Sequence, residues 1–186
     1  MSTRRSARPD AARTSLLKKD GADSCLRAMH PGHLRAETTR RETGWVVRVL
    51  VIDDEPDVLL LCRVNFEFAG HQVLQAPDGE RGRDLAVTER PDLIVLDIML
   101  PAKDGLTILR ELLEAPETHH TPVVLLTAKT QEEDRLAGWR AGAVEYVTKP
   151  FSPIVLTQIA EQVLGMTLEQ REERRERALA ELQNQT

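Results

Sequence analysis

The sequence predicts a doubly wound α/β domain built on a five-stranded parallel sheet, followed by an extra C-terminal helical tail. Three observations carry this reading. Short apolar or β-branched runs recur five times between Arg48 and Val147. Stretches with helical patterning separate them, each about ten residues or more, the length a crossover between parallel strands needs. The first, third and fourth runs are almost continuously apolar, as for strands covered by helices on both faces.

Before these elements, residues 1–45 read as a basic, disordered extension. The first 44 residues hold ten Arg or Lys against five Asp or Glu, although the chain as a whole carries a formal net charge of −5. Pro9, Gly21, Pro31 and Gly32 interrupt any apolar period, leaving at most a transient helix over 11–19. Such an arm suits an acidic partner or nucleic acid, but an unstructured leader is the plainer account and is preferred. Cys25, His30 and His33 lie close together, but their spacing matches no zinc pattern.

Order is expected from Trp45. Arg48–Ile52 is the first strand and ends in Asp53, Asp54 and Glu55. Pro56 suits the first turn of a helix whose apolar face is Val58, Leu59, Cys62, Phe66 and Ala69, with Gly70 ending it. Val73 and Leu74 mark a second strand, and Asp78-Gly79 opens a second helix running towards Arg90. Pro91–Asp97 is a third strand, and 106–113 a helix. Pro122–Thr127 is a fourth strand, and 131–141 another helix. Val144–Val147 leads to Lys149-Pro150-Phe151 and a last domain helix from Pro153. The tail, 166–186, is a charge run of strong helix formers. Leu164, Leu168, Leu179 and Leu182 share a face that Arg171 and Arg175 interrupt, so either a partner-binding helix or a solvated, frayed tail fits.

Composition narrows the classes. With 41% apolar residues but only six aromatics, the core must be Leu, Val, Ile and Ala. Two cysteines make no disulfide framework, which favours a reducing, cytoplasmic setting. No stretch has the apolar length of a membrane span, and no apolar segment follows Arg4-Arg5 to make an export signal.

In an open parallel sheet, ligands collect beyond the carboxyl ends of the strands, where strand order reverses. There the sequence delivers Asp53, Asp54 and Glu55 from the first strand and Asp97 from the third. Thr127 comes from the fourth, and Lys149 follows the fifth. Acids so gathered repel one another without a cation, and hard oxygen donors of this kind suit Mg²⁺. With the metal bound, a carboxylate can attack phosphorus and form an aspartyl phosphate. Mg²⁺ neutralises one oxygen of the transferring group and the Lys149 ammonium another. The Thr127 hydroxyl, or nearby backbone N–H groups, serves the third. Ala128 leaves room for a phosphate to enter.

Val49-Leu-Val-Ile-Asp-Asp-Glu55, Asp97-Ile-Met-Leu-Pro101 with Asp104-Gly105, Thr127-Ala128 and Lys149-Pro150-Phe151 together resemble the receiver domain of bacterial two-component response regulators. The intervals match as well, 30 residues from Asp97 to Thr127 and 52 to Lys149. The resemblance covers about 47–165 and implies a flavodoxin-like (βα)5 receiver over 46–165, with 166–186 as a charged tail. It implies that Asp97 accepts a phosphoryl group from a sensor histidine kinase or a histidine phosphotransfer protein. Asp54 and Asp97 would bind Mg²⁺ directly, with the backbone carbonyl of Met99 as a third ligand and Asp53 holding a metal-bound water. Lys149 would pair with the phosphate. Thr127 would move to meet it, and Tyr146 would rotate inward as Thr127 vacates its space. The Lys149-Pro150 bond is expected to be cis.

Singly, each residue has a plainer role: Asp53 and Asp54 as helix caps, Thr127 as a β-former, Lys149 as a loop charge. Their coincidence at one end of one sheet outweighs those roles. The last domain helix carries no Lys or Arg, which argues against dimers that pair through the fourth helix, fifth strand and fifth helix, though a homodimer of another kind stays open. Nothing after residue 166 has the length of a DNA-binding domain, so the output is expected to be contacts with a further protein. A phosphorylation-independent adaptor acting through the tail and the basic arm is the alternative. A phosphatase on a related sheet would need a second acid just after the nucleophile, where Ile98 and Met99 stand.

Overall fold

A computed structural model describes residues 40–41, 44–128 and 132–184, with the side chains of 46–128 and 135–184. The arm before residue 40, with Cys25, His30 and His33, lies outside the described residues, as do Lys129 and Gln131. The description opens with β1 (Arg40–Arg41) paired antiparallel with β2 (Gly44–Trp45). This pair begins before the expected onset of order at Trp45, because two-residue strands are too short to print an apolar period.

The alternating part follows: β3 (Arg48–Ile52), α1 (Pro56–Phe68), β4 (Gln72–Ala76), α2 (Gly79–Glu89), β5 (Leu93–Asp97), α3 (Gly105–Glu114), β6 (Val123–Thr127), α4 (Glu132–Ala141), β7 (Glu145–Thr148) and α5 (Pro153–Gly165). The sheet order is β4-β3-β5-β6-β7, and every neighbouring pair is parallel. The chain steps outward from β3 to β4, then crosses back to β5. Strand order therefore reverses between β3 and β5, where a crevice opens beyond the strand ends.

Both faces of the sheet are apolar, and successive side chains serve opposite sides. Leu50, Ile52, Ile94, Leu96 and Leu125 pack with Ala86 of α2 and with Ile108, Leu109 and Leu112 of α3. Val49, Val51, Leu93, Val95 and Leu126 pack with Cys62 and Phe66 of α1 and with Leu156, Ala160 and Val163 of α5. Each fully buried aliphatic side chain contributes about 1.5–3 kcal/mol, so this aliphatic core compensates for few aromatics. Among the described residues, no helix is long and apolar enough to cross a membrane.

The tail forms α6 (Leu168–Gln183), started by a capping box: Gln170 N donates to Thr167 Oγ1 at 3.2 Å, and Thr167 N donates to Gln170 Oε1 at 2.9 Å. α6 packs on α4. Leu182 is buried beneath it, while Arg171, Arg174 and Arg175 are only partly exposed. The arginines read as interruptions of the apolar face thus belong to the packed face, spaced by three and four residues with Ala178 and Leu182. A helix that docks through guanidinium groups does not show the apolar stripe by which docking is normally recognised.

Candidate functional site

β3 runs apolar to Ile52 and then reaches Asp53, whose N–H donates to the Ala76 carbonyl at 3.1 Å. The Asp53 carboxylate, 0% exposed, accepts from Glu55 N at 3.0 Å through Oδ1, which bends the chain into α1. Pro56 fixes the first helical position and makes Glu55 the N-cap residue, yet the Glu55 side chain does not cap the helix. It projects over the strand ends instead.

β5 ends in Asp97, buried and held by Met99 N, which donates to Asp97 Oδ1 at 2.9 Å. The loop after it is pressed against α3, with Gly105 N donating to the Ile98 carbonyl at 3.0 Å. A Cβ on Gly105 would run into the Asp97 carbonyl and sit 2.7 Å from Ile98 Cα, so this close approach requires glycine. Thr127, at the end of β6, is fully buried, and its carbonyl accepts from Lys149 N at 2.7 Å. The Lys149-Pro150 bond is cis, as expected.

Lys149 ties the ends together. Its Nζ donates to Asp97 Oδ2 at 2.6 Å and to Glu55 Oε1 at 2.8 Å. It also lies 2.8 Å from Asp53 Oδ2, an ion pair without well-aligned hydrogen-bond geometry. Burial acts to lower the Lys149 pKa, but its bonds to Asp53, Asp97 and Glu55 outweigh burial and hold it above the ordinary lysine value. Burial raises the Asp53 pKa, only partly offset by Lys149 and the Glu55 N–H. One ammonium thus faces several carboxylates, two of them desolvated.

Oxygens of Asp53, Glu55 and Asp97 all lie within 4.8 Å of one another. A compact set of hard oxygen donors, one on a fully buried carboxylate whose ionised form is disfavoured, fits Mg²⁺. Asp54 stands apart, exposed to solvent and outside this group. Met99 has a half-exposed side chain and touches Asp97 through its N–H. Tyr146 is half-buried on β7, with the Arg135 guanidinium 5.9 Å from its ring centroid. Tyr146 pairs with Leu125 and Thr148 with Thr127, so Tyr146 and Thr127 share one face of the sheet.

The structure therefore brings together Asp53, Asp97 and Lys149 and places Thr127 beside them. Glu55 belongs to the same cluster, at the strand end where the sequence put it, although the sequence reading gave it no ligand role. Its signal was the adjoining Pro56, which makes residue 55 the N-cap at the mouth of the crevice.

Comparison with known proteins follows the same outline. The family described as response regulator receiver domain matches residues 49–161. The transcriptional regulator RpaA of Synechocystis is 47% identical over 104 residues, covering 56% of this chain and 43% of RpaA. PilH of Pseudomonas aeruginosa is 38% identical over 120 residues, covering 64% of this chain and 99% of PilH. A solved structure of a response regulator from Chloroflexus aurantiacus superposes with a TM-score of 0.62 at 30% identity, covering 65% of this chain and 99% of that one. The chain spans less than half the length of RpaA and of the Bacillus subtilis regulator PhoP, which it matches at 44% identity.

Proposed function

Because the chain belongs to the response regulator receiver family, we propose that it is a switch on which Asp97 accepts a phosphoryl group in an Mg²⁺-dependent reaction. The observation that carries this reading is the Lys149 ammonium at 2.6 Å from Asp97 Oδ2, in a pocket shared with Asp53 and Glu55.

Asp97 acts as nucleophile. A carboxylate oxygen attacks the phosphorus of a phosphohistidine, the P–N bond breaks, and the imidazole leaves with its electron pair and takes up a proton. Lys149 turns from the carboxylate to an oxygen of the incoming phosphoryl group, and the Thr127 hydroxyl donates to another. Asp53, Asp54, Asp97 and the Met99 carbonyl would hold Mg²⁺, with Glu55 beside them. The metal, when bound, neutralises charge on the transferring group. Thr127 and Tyr146 then move together on their shared face of the sheet and convey the change outward.

The phosphodonor is a sensor histidine kinase or phosphotransfer protein, and the output is a contact with a further protein. The free, buried thiol of Cys62 is in keeping with work in the cytoplasm. The switch is consumed and reset rather than turning over a substrate.

Incubation with Mg²⁺ and acetyl phosphate is expected to yield one phosphoryl adduct by intact mass, absent with EDTA and absent in Asp97→Asn. No adduct on the wild-type chain, or equal labelling of the variant, refutes the reading.

A further inference from the structure

The surface of α4 and β7 is covered by the chain's own C-terminal helix. Leu182 of α6 is buried at this seam, and Arg174 is paired with Glu145, the first residue of β7. The start of α6 is also tied down, with Arg171 Nη1 donating to the His120 carbonyl at 3.4 Å.

Two features set this seam apart from the core. It encloses a cleft of about 330 Å³ between Trp139, Arg135 and the α6 side chains. Among the described residues, three buried donors there, Arg135 Nε, Trp139 Nε1 and Arg174 Nε, meet no protein acceptor. Donors left to the solvent of such a cleft add little to the hold on α6. By contrast, the sheet and α1, α2, α3 and α5 meet through close-packed aliphatic side chains.

The seam is also wired to the acid pocket. β7 is only four residues long. Its first residue holds Arg174, its second is Tyr146 beneath Arg135, and the residue just past its end is Lys149, bound to Asp97. A phosphoryl group on Asp97 draws Lys149 and Thr127 to new partners, and thereby pulls on the strand that clamps the tail.

We propose that α6 is a masked docking helix, clamped on α4 and β7 in the resting chain and released by phosphorylation of Asp97 to present its Arg171, Arg174, Ala178 and Leu182 face to a partner. This rests on the phosphoacceptor reading. The partner is a protein that presents a carboxylate beside an aromatic side chain, the chemistry that Glu145 and Trp139 offer in the resting state. A nucleic acid is disfavoured, because Glu169, Glu172, Glu173, Glu176 and Glu181 outnumber the arginines of the same helix. The short link between α5 and α6, Met166-Thr167, is the hinge.

The test uses the full chain with Trp45→Phe, leaving Trp139 as its one tryptophan. Phosphorylation is followed by intact mass, and α6 by amide hydrogen exchange over 168–183 and by Trp139 emission. On phosphorylation, exchange in α6 is expected to speed up about tenfold and Trp139 emission to shift red. Arg174→Glu should produce both changes without phosphate, and adding Glu145→Arg to it should reverse them. A phosphoryl adduct with α6 exchange unchanged overturns the release while sparing Asp97 as acceptor. No adduct at all refutes the acceptor and the trigger together, and Arg174→Glu with resting protection refutes the clamp.

Discussion

Replacing Lys149 by Met keeps the side chain's length and removes its charge, leaving Asp53, Glu55 and Asp97 facing one another without a cation. Two of these carboxylates are buried, at 2.8 and 2.6 Å from Nζ, while Glu55 is 59% exposed at 2.8 Å. Removing one partner of a buried ion pair costs about 3–5 kcal/mol, and the exposed Glu55 pair adds at most about 1 kcal/mol. The two buried pairs share one cation, so their costs do not add. The metal-free variant should therefore unfold at lower urea and melt about 10 °C lower. Mg²⁺ replaces the missing charge and should stabilise Lys149→Met more than the wild type. The pH dependence follows from the directions of the shifts. The Lys149 pKa is raised, so its contribution is fully present below the ordinary value of 10.5 and is lost as pH rises through its folded value. The gap between wild type and variant should hold from about pH 7 to 10 and close only above that. It should also close towards acid pH, where the carboxylates take up protons. Urea titrations followed by circular dichroism, with EDTA and with Mg²⁺, measure all of this. Equal metal-free stability at neutral pH, or equal stabilisation of both proteins by Mg²⁺, refutes the reasoning.

Other outcomes follow from single residues. Gly105→Ala forces a methyl group against the Asp97 backbone, so it should cost about 1–3 kcal/mol and slow phosphorylation by acetyl phosphate. The Asp53 pKa is raised by burial, so its ionisation costs stability as pH rises through the folded value. Asp53→Asn should accordingly be more stable than wild type without metal at neutral pH, lose that advantage in acid, and gain less from Mg²⁺ in thermal melts. Burial pushes the Cys62 thiol up to about 12, so in a Cys25→Ser background iodoacetamide at mildly alkaline pH should leave the native chain unlabelled and modify it in denaturant.

The sheet was readable because buried parallel strands are apolar on both faces, and runs such as Leu93–Leu96 and Val123–Leu126 have no other economical explanation. The pocket was readable because polar residues that end such runs share one end of the sheet. What escaped reading depends on side-chain direction or on charge. Asp53 and Asp54 are adjacent in sequence, yet Asp53 is buried against Lys149 while Asp54 is exposed to solvent. Glu55 was placed at the strand end, but its bond to Lys149 across 94 residues leaves no local trace. The docking of α6 was hidden because Arg174 meets Glu145 across 29 residues, a pairing that no local period records.

The central claim is that Asp97 itself carries the phosphate. Treating the phosphorylated chain with borohydride reduces an acyl phosphate to the alcohol, and peptide mass mapping then locates the converted residue. Conversion of Asp97 alone is the predicted result; conversion of Asp53, Asp54 or Glu55 with Asp97 intact contradicts it.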